Sequence, residues 1–223
     1  MVPARLVRTV LAVAVIGGPL AADIGGMLSP AIHENGAVSI ARNATANPVG
    51  NGTHLVMFAL ASYLLPLSAV GLAWLGYPRA PWLGTIGGLL AVLGWLPYSA
   101  LTALDDLADL LAHRPNAGVY AELYDQFSVD PVMNSFLLIY VVGHLVAYVL
   151  LGIALLRTGS VPRWSAWALI VSSPLTISTF LLPGRPLAVG LAALTLIVIA
   201  SVPAAWALAR PDIRSDDVSQ PLA

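Results

Sequence analysis

Three aspartates that lie close together are the residues of this sequence best suited to chemistry. The stretch ALTALDDLADLLAHRP, residues 100–115, places Asp105, Asp106 and Asp109 after a long apolar run. On an α-helix Asp105 and Asp109 share one face, and Asp106 lies about 100° around the helix axis. Carboxylates in this arrangement can hold Mg²⁺, which can bridge to a diphosphate. Acids in this position also mark the point where a membrane helix reaches water. The sequence therefore leaves two alternatives for the aspartates: a functional site or the solvated end of a membrane helix.

The string DDLAD resembles the aspartate-rich motif of isoprenoid synthases and cyclases. That resemblance implies a catalytic role for Asp105, Asp106 and Asp109, with magnesium as cofactor only if the string is a diphosphate site. The sequence departs from the motif because the acids between residues 122 and 130 lack the helical spacing of a second acidic motif. An alternative needs no metal. A carboxyl group kept protonated by desolvation at the membrane boundary can protonate an alkene or epoxide of a lipid-soluble isoprenoid.

Two aromatic residues, Trp95 and Tyr98, lie shortly before the aspartates. Their ring faces can line a pocket and stabilise a cationic intermediate. They also flank Pro97, and aromatic rings beside a proline kink fill the packing defect that the kink leaves. We take Trp95 and Tyr98 as candidate binding residues, with packing as the alternative.

Two ionisable residues, Asp23 and His144, lie within apolar runs. An aspartate at membrane depth costs about 2.5–3.5 kcal/mol on the insertion scale, so it normally faces a partner or a water-filled path. Both residues are candidate binding residues. For His144 the alternative is a neutral imidazole that is hydrogen-bonded to a neighbouring helix.

Acids and histidines on the predicted outer side can form either a divalent-cation site or a solvated rim. No HxxxH or HExxH spacing supports a metal site, and we predict none. We expect a solvated acidic rim instead. The residues in question are His33, Glu34, His54, Asp105, Asp106, Asp109 and His113.

The composition indicates a membrane protein. Of the 223 residues, 58% are hydrophobic and only 9% are charged, with a mean hydropathy of +0.85, whereas a soluble domain is about one quarter charged. Cysteine is absent, which excludes disulfides, thiolate zinc sites and thiol nucleophiles. The net charge of −1 gives no general attraction to nucleic acid. The expected partners are the lipid bilayer and a lipid-soluble small molecule or a partner membrane subunit.

Six apolar runs are long enough to cross about 30 Å of hydrocarbon. Because lipid offers no partner to a backbone N–H, each run must be helical. The predicted fold is therefore all-α: a polytopic integral membrane protein with a six-helix bundle in one domain, residues 1–209, and a disordered cytoplasmic tail, residues 210–223. The predicted spans are about 6–27, 54–76, 82–104, 133–156, 164–182 and 187–209.

The arginines predict the orientation, because basic residues near span ends stay in the cytoplasm. In this layout seven arginines lie on one side and three on the other, which puts both termini on the cytoplasmic side of the cell membrane. A signal peptide ending near Ala21 and Ala22 is the alternative for the first span. The seven arginines are Arg5, Arg8, Arg79, Arg157, Arg163, Arg210 and Arg214, and Trp74, Tyr77, Trp82, Trp164 and Trp206 lie near the same span ends.

Two segments on the predicted outer side are longer than the tight hairpins that connect the other spans. Residues 28–53 are rich in Gly, Asn, Pro and Thr, which predicts an irregular loop. Residues 105–132 contain NAGVYAELYDQFSVDP, whose apolar residues at helical spacing predict a short surface helix. That helix can cap the bundle or act as a lid over a pocket.

The segments LAADIGGMLSP, PRAPWLGTIGGLLAVLG and LLRTGSVPRWSAWALI together resemble small multi-pass membrane proteins of high-GC Gram-positive bacteria. This resemblance covers most of the chain and implies no catalytic residues. We therefore predict a small transporter or an accessory membrane subunit, with a membrane-embedded isoprenoid cyclase as the alternative. A haem protein is a third class, but His54 and His144 match poorly in predicted depth.

Overall fold

The computed structural model describes residues 4–32, 34, 36–183 and 186–210. Within these residues all regular elements are α-helices and there is no strand, which confirms the predicted all-α class. The helices are α1 (Ala4–Leu28), α2 (Gly36–Ala44), α3 (Pro48–Gly76), α4 (Pro81–Trp95), α5 (Tyr98–Ala112), α6 (Ala117–Ser128), α7 (Pro131–Thr158), α8 (Arg163–Leu181) and α9 (Leu187–Ala209).

Five helical segments among the described residues are long and apolar enough to cross a membrane. They correspond to the first four predicted spans and the sixth. The third segment spans both α4 and α5. The five segments are Ala4–Leu28, Pro48–Gly76, Pro81–Ala112, Pro131–Thr158 and Leu187–Ala209.

The fifth predicted span forms α8, which is a helix but is not one of these five. This helix is rich in serine and threonine, and several of the hydroxyls are buried. The Ser165 hydroxyl donates to the Ala200 carbonyl of α9 at 2.7 Å, and the Ser173 hydroxyl donates to the Leu145 carbonyl of α7 at 2.9 Å. Such bonds satisfy polar groups between helices that share an apolar environment. They hold α8 against both neighbours.

Glycines allow α4 and α7 to cross with their backbones in contact. A Cβ atom at Gly94 would lie 2.4 Å from the His144 backbone nitrogen, and one at Gly143 would lie 2.7 Å from the Gly94 Cα. Small residues at a crossing let membrane helices pack closely. This crossing brings residues at the end of α4 against the middle of α7, where the candidate residue His144 lies.

A break at Pro97 divides the third apolar segment. Proline has no backbone N–H for the helical hydrogen-bond ladder, and the helix is interrupted between Trp95 and Tyr98. The helical segment continues beyond the predicted span 82–104. The helix resumes as α5 and continues to Ala112, so the aspartates lie within a helix rather than in a loop after it.

The prediction of an irregular loop over residues 28–53 was wrong. The segment contains α2, and α3 begins six residues earlier than the predicted span, at Pro48 instead of residue 54. The Asn47 side chain caps α3 by accepting the backbone N–H groups of Val49 and Gly50, each at 3.0 Å. Asparagine at the N-cap followed by proline at the first helical position is a strong start signal. This local signal outweighed the loop-like composition.

The predicted short surface helix is confirmed as α6. It packs with α2 and α5 around a small apolar cluster of Ile40, Ala108 and Tyr124. The buried Tyr124 hydroxyl donates to the Leu104 carbonyl at 3.2 Å. Burial, with the charge of Asp105 as a smaller cause, raises the pKa of Tyr124 to about 12, so the phenol stays a neutral donor. We call α2, α5 and α6 the cap.

Candidate functional site

The three aspartates have three different environments. Asp106 is exposed. The Asp105 side chain is 36% exposed, and its Oδ2 lies 3.8 Å from Nε2 of His54. The Asp109 side chain is 28% exposed and accepts the Nδ2–H of Asn51 at 2.8 Å. In the part of the chain that the structure describes, no group of three or more His, Asp or Glu side chains is arranged to hold a metal ion.

His54 is held between a carbonyl and a carboxylate. The imidazole is only 2% exposed, and its Nδ1 lies 3.0 Å from the Gly25 carbonyl oxygen of α1. A carbonyl only accepts, so Nδ1 carries hydrogen and the Nε2 of the neutral ring points a lone pair towards Asp105. Two acceptors that face each other repel unless one of them binds a proton. His54 and Asp105, which we call the dyad, thus form an acid–base pair whose facing atoms are 3.8 Å apart.

Close packing of α1 and α3 positions the imidazole. A Cβ atom at Gly25 would lie 2.4 Å from the Phe58 ring, so glycine is required for this approach. The Phe58 ring then packs edge-on against His54, with 4.4 Å between ring centroids. His54 therefore has a fixed ring orientation, with its Nε2 edge towards α5.

A buried amide network ties the cap to the dyad's helices. Asn51 is 4% exposed, and its Nδ2 donates to the Asn43 Oδ1 of α2 at 2.8 Å as well as to Asp109. Asn43 in turn donates to the Ser39 carbonyl at 2.9 Å. Sequence reasoning missed both asparagines. The signal was the spacing of Asn51 and His54, which are three residues apart and share a helix face.

We expect Asn51→Ala to lower the free energy of unfolding by about 1–3 kcal/mol, because it leaves the buried Asn43 Oδ1 and the partly buried Asp109 carboxylate without their donor. Denaturant titration of the purified protein measures the change. Thr53→Ala is the matched control on the same helix, since the Thr53 hydroxyl bonds only within α3. Equal effects of the two substitutions would contradict this prediction.

An aromatic stack continues inward from the dyad. Ring centroids are 5.3 Å apart for Phe58 and Tyr98, 5.6 Å for Tyr98 and Trp95, and 4.7 Å for Trp95 and His144. The structure therefore brings together three of the predicted binding residues and connects them through Phe58 and His54 to Asp105. We call the set the aromatic stack: Phe58, Trp95, Tyr98, Tyr140, His144 and Tyr148.

Among the described residues, His144 does not make the hydrogen bond to a neighbouring helix that was the alternative for it. Its Nδ1 donates to the Tyr140 carbonyl, one turn earlier in α7. Contact with another helix comes from ring packing on Trp95 instead. The Trp95 Nε1–H donates to the Tyr148 hydroxyl at 3.2 Å. The stack thus joins α4 and α7 through both ring contacts and a hydrogen bond.

Asp23 belongs to a different contact. It is 8% exposed, and its Oδ2 accepts the Thr195 hydroxyl of α9 at 3.0 Å. Its Oδ1 is buried and has no hydrogen-bond partner in the described part of the chain. This carboxyl group therefore joins α1 to α9 and is not part of the dyad.

Thr195→Val should lower the free energy of unfolding by about 1–3 kcal/mol, because it removes the donor to the buried Asp23 carboxyl group. Thr9→Val is the control on the same pair of helices, since the Thr9 hydroxyl bonds to the Arg5 carbonyl in its own helix. Denaturant titration of both variants measures the difference. A Thr195 effect no larger than that of Thr9 would mean that the Asp23 contact adds no stability.

The remaining residues of the predicted outer rim do not converge on one point. Glu34 forms an ion pair with Arg42 at 3.0 Å. His113 Nδ1 lies 2.8 Å from the Asp109 carbonyl oxygen and 3.5 Å from its Oδ1. His33 lies outside the described residues. The rim therefore consists of local pairs.

No protein-family model, curated protein or solved structure matches this chain. The resemblance to membrane proteins of high-GC Gram-positive bacteria remains a prediction, and function rests on the geometry of the dyad and the aromatic stack.

Proposed function

We propose that this chain is a small proton-coupled transporter of the cytoplasmic membrane, with six spans and both termini in the cytoplasm. The dyad carries this proposal. It is an acid–base pair held between α1, α3 and α5, and the half-buried Asp105 keeps it open to one side.

Contacts between arginines and helix ends support six spans. Arg8 near the start of α1 donates to the Leu208 and Arg210 carbonyls at the end of α9, so both ends lie on one side of the bundle. Arg79, after α3, donates to the Thr158 carbonyl at the end of α7 at 2.6 Å. An even number of crossings is required if the two ends share a side, and α8 supplies the sixth. The positive-inside rule places this arginine-rich end in the cytoplasm.

Proton binding at the dyad follows from its chemistry. Histidine is the side chain whose ordinary pKa allows a charge change near neutral pH. A carboxyl group at membrane depth normally marks an ion or proton path. Beyond the dyad, the Tyr98 and Tyr140 phenols and His144 place further polar groups within the otherwise apolar stack. These groups extend from the cap towards the middle of α7.

The first experiment measures proton binding directly. Infrared difference spectra of the purified protein, recorded as pH is changed, are expected to show a carboxyl band that Asp105→Asn removes and His54→Gln shifts. Asp106→Asn is the matched control, because Asp106 is exposed and adjacent in sequence. The proposal would be contradicted if the Asp105→Asn spectra kept every carboxyl band of the wild type.

The second experiment measures transport. Proteoliposomes with an imposed pH gradient are tested against a panel of lipophilic cations and neutral aromatic compounds. Uptake that depends on the gradient should fall to the level of empty liposomes in Asp105→Asn and His54→Gln, and should remain in Asp106→Asn. Uptake unaffected by the two dyad substitutions would exclude the dyad as the coupling site.

A second candidate is a membrane-embedded isoprenoid cyclase. The observation that favours it is the connection of Asp105, through His54, to the aromatic rings of Tyr98 and Trp95. A protonated carboxyl group can start a cyclisation, and ring faces stabilise the cation that forms. Turnover of a panel of prenylated substrates that is lost in Asp105→Asn, but kept in Asp106→Asn and Asp109→Asn, would favour the enzyme. No turnover by the wild type, together with gradient-dependent uptake, would favour the transporter.

A further inference from the structure

A groove of about 780 Å³ opens at the arginine-rich end of the bundle. It lies between α1, α9 and the turn formed by residues 159–162. Its walls are apolar and open to the surroundings: Val13 is 62% exposed, Val202 is 52% exposed and Trp206 is 63% exposed. Surface of this kind along two candidate spans would face lipid.

Positive charge lines the open end of the groove. Arg210 is one of the lining residues, and its guanidinium carbon lies 5.6 Å from the centre of the Trp206 ring. Arg163 is exposed and directly follows the lining residue Pro162. None of the described residues that line the groove is acidic. The groove therefore combines apolar walls with a cationic rim.

We propose that this groove binds an anionic phospholipid of the inner leaflet. An acyl chain lies along Val13 and Trp206, and the phosphate accepts hydrogen bonds from Arg210 and Arg163. Basic pockets between helices at the cytoplasmic surface suit such headgroups, and guanidinium groups match phosphate oxygens in two-point hydrogen bonding. The inference rests on the membrane placement proposed above and is independent of the proton-coupled activity.

The closing experiment measures quenching of Trp206 fluorescence by phospholipids brominated on the acyl chain. The full-length protein in detergent is titrated with brominated phosphatidylglycerol and, separately, with brominated phosphatidylcholine. A Trp206→Phe variant identifies the Trp206 component, because the chain has 6 tryptophans. Phosphatidylglycerol should quench this component at a lower concentration than phosphatidylcholine does. Arg163→Gln combined with Arg210→Gln should remove the preference, whereas Arg114→Gln, at an exposed arginine beyond α5, should retain it.

Two results would overturn the lipid site. One is equal quenching by both lipids, and the other is a preference that persists in the double variant. Residues 211–223 contain three aspartates and offer a competing anionic occupant. Preferential quenching that appears only after these residues are removed would assign the groove to the tail. Because the infrared and uptake assays do not depend on this groove, either proposal can fail alone.

Discussion

We expect Gly94→Ala to lower the free energy of unfolding by about 3 kcal/mol, at the upper end of the usual cost of overpacking a core. The added methyl group would lie 2.4 Å from the His144 nitrogen and 2.8 Å from the Gly143 carbonyl carbon. Both atoms belong to the backbone, so no side-chain rotation can relieve the contact. The two helices must separate, and the ring contact between Trp95 and His144 is disturbed with them.

Gly52→Ala is the matched control for this crossing. Gly52 is also helical, in α3, but a Cβ atom there would meet nothing within 4 Å. Alanine should therefore stabilise the protein by up to about 1 kcal/mol, through its better helix propensity. Unfolding by titration with sodium dodecyl sulfate in mixed micelles measures both changes. Equal stability of Gly94→Ala and the wild type would show that α4 and α7 do not cross with their backbones in contact.

Trp95→Ala is the second substitution with a large expected effect and should lower the free energy of unfolding by about 3–5 kcal/mol. Trp95 is 2% exposed and packs against Tyr98, Tyr140, His144 and Tyr148. Truncation removes these ring contacts and opens a large cavity. It also leaves the buried Tyr148 hydroxyl without the Nε1–H donor.

Two further tryptophan variants separate packing from hydrogen bonding. Trp95→Phe keeps an aromatic ring but loses the bond to Tyr148, and the lost bond itself should cost about 1 kcal/mol. Trp74→Ala removes a tryptophan that is 54% exposed, so its effect should be near 0.5 kcal/mol. The same micelle titration ranks all three. A Trp95→Ala effect no larger than that of Trp74→Ala would contradict a packed aromatic stack.

Much of the candidate site followed from residue type. Asp105 and His144 could be selected because an ionisable group in an apolar run normally has a partner or a function. Trp95 and Tyr98 could be selected because they lie shortly before the aspartates and can stabilise a cation. The spacing also predicted correctly that Asp105 and Asp109 share a helix face. Sequence reasoning missed the partner of Asp105, because His54 was read as the polar start of a span. The Asn47 cap starts α3 at Pro48, six residues before His54, so His54 is a buried residue inside the helix.

The sequence by itself determined the all-helical class and the position of most long apolar helices, because apolar runs and the need to pair every backbone N–H are local properties. It also determined which residues share a face within one helix. Only the tertiary structure decided which faces meet. Glycines at positions 25, 94 and 143 set how closely helices approach, and that approach places His54 beside Asp105 and Trp95 over His144. Contacts between residues that are about 50 positions apart depend on crossing geometry, which no local pattern encodes.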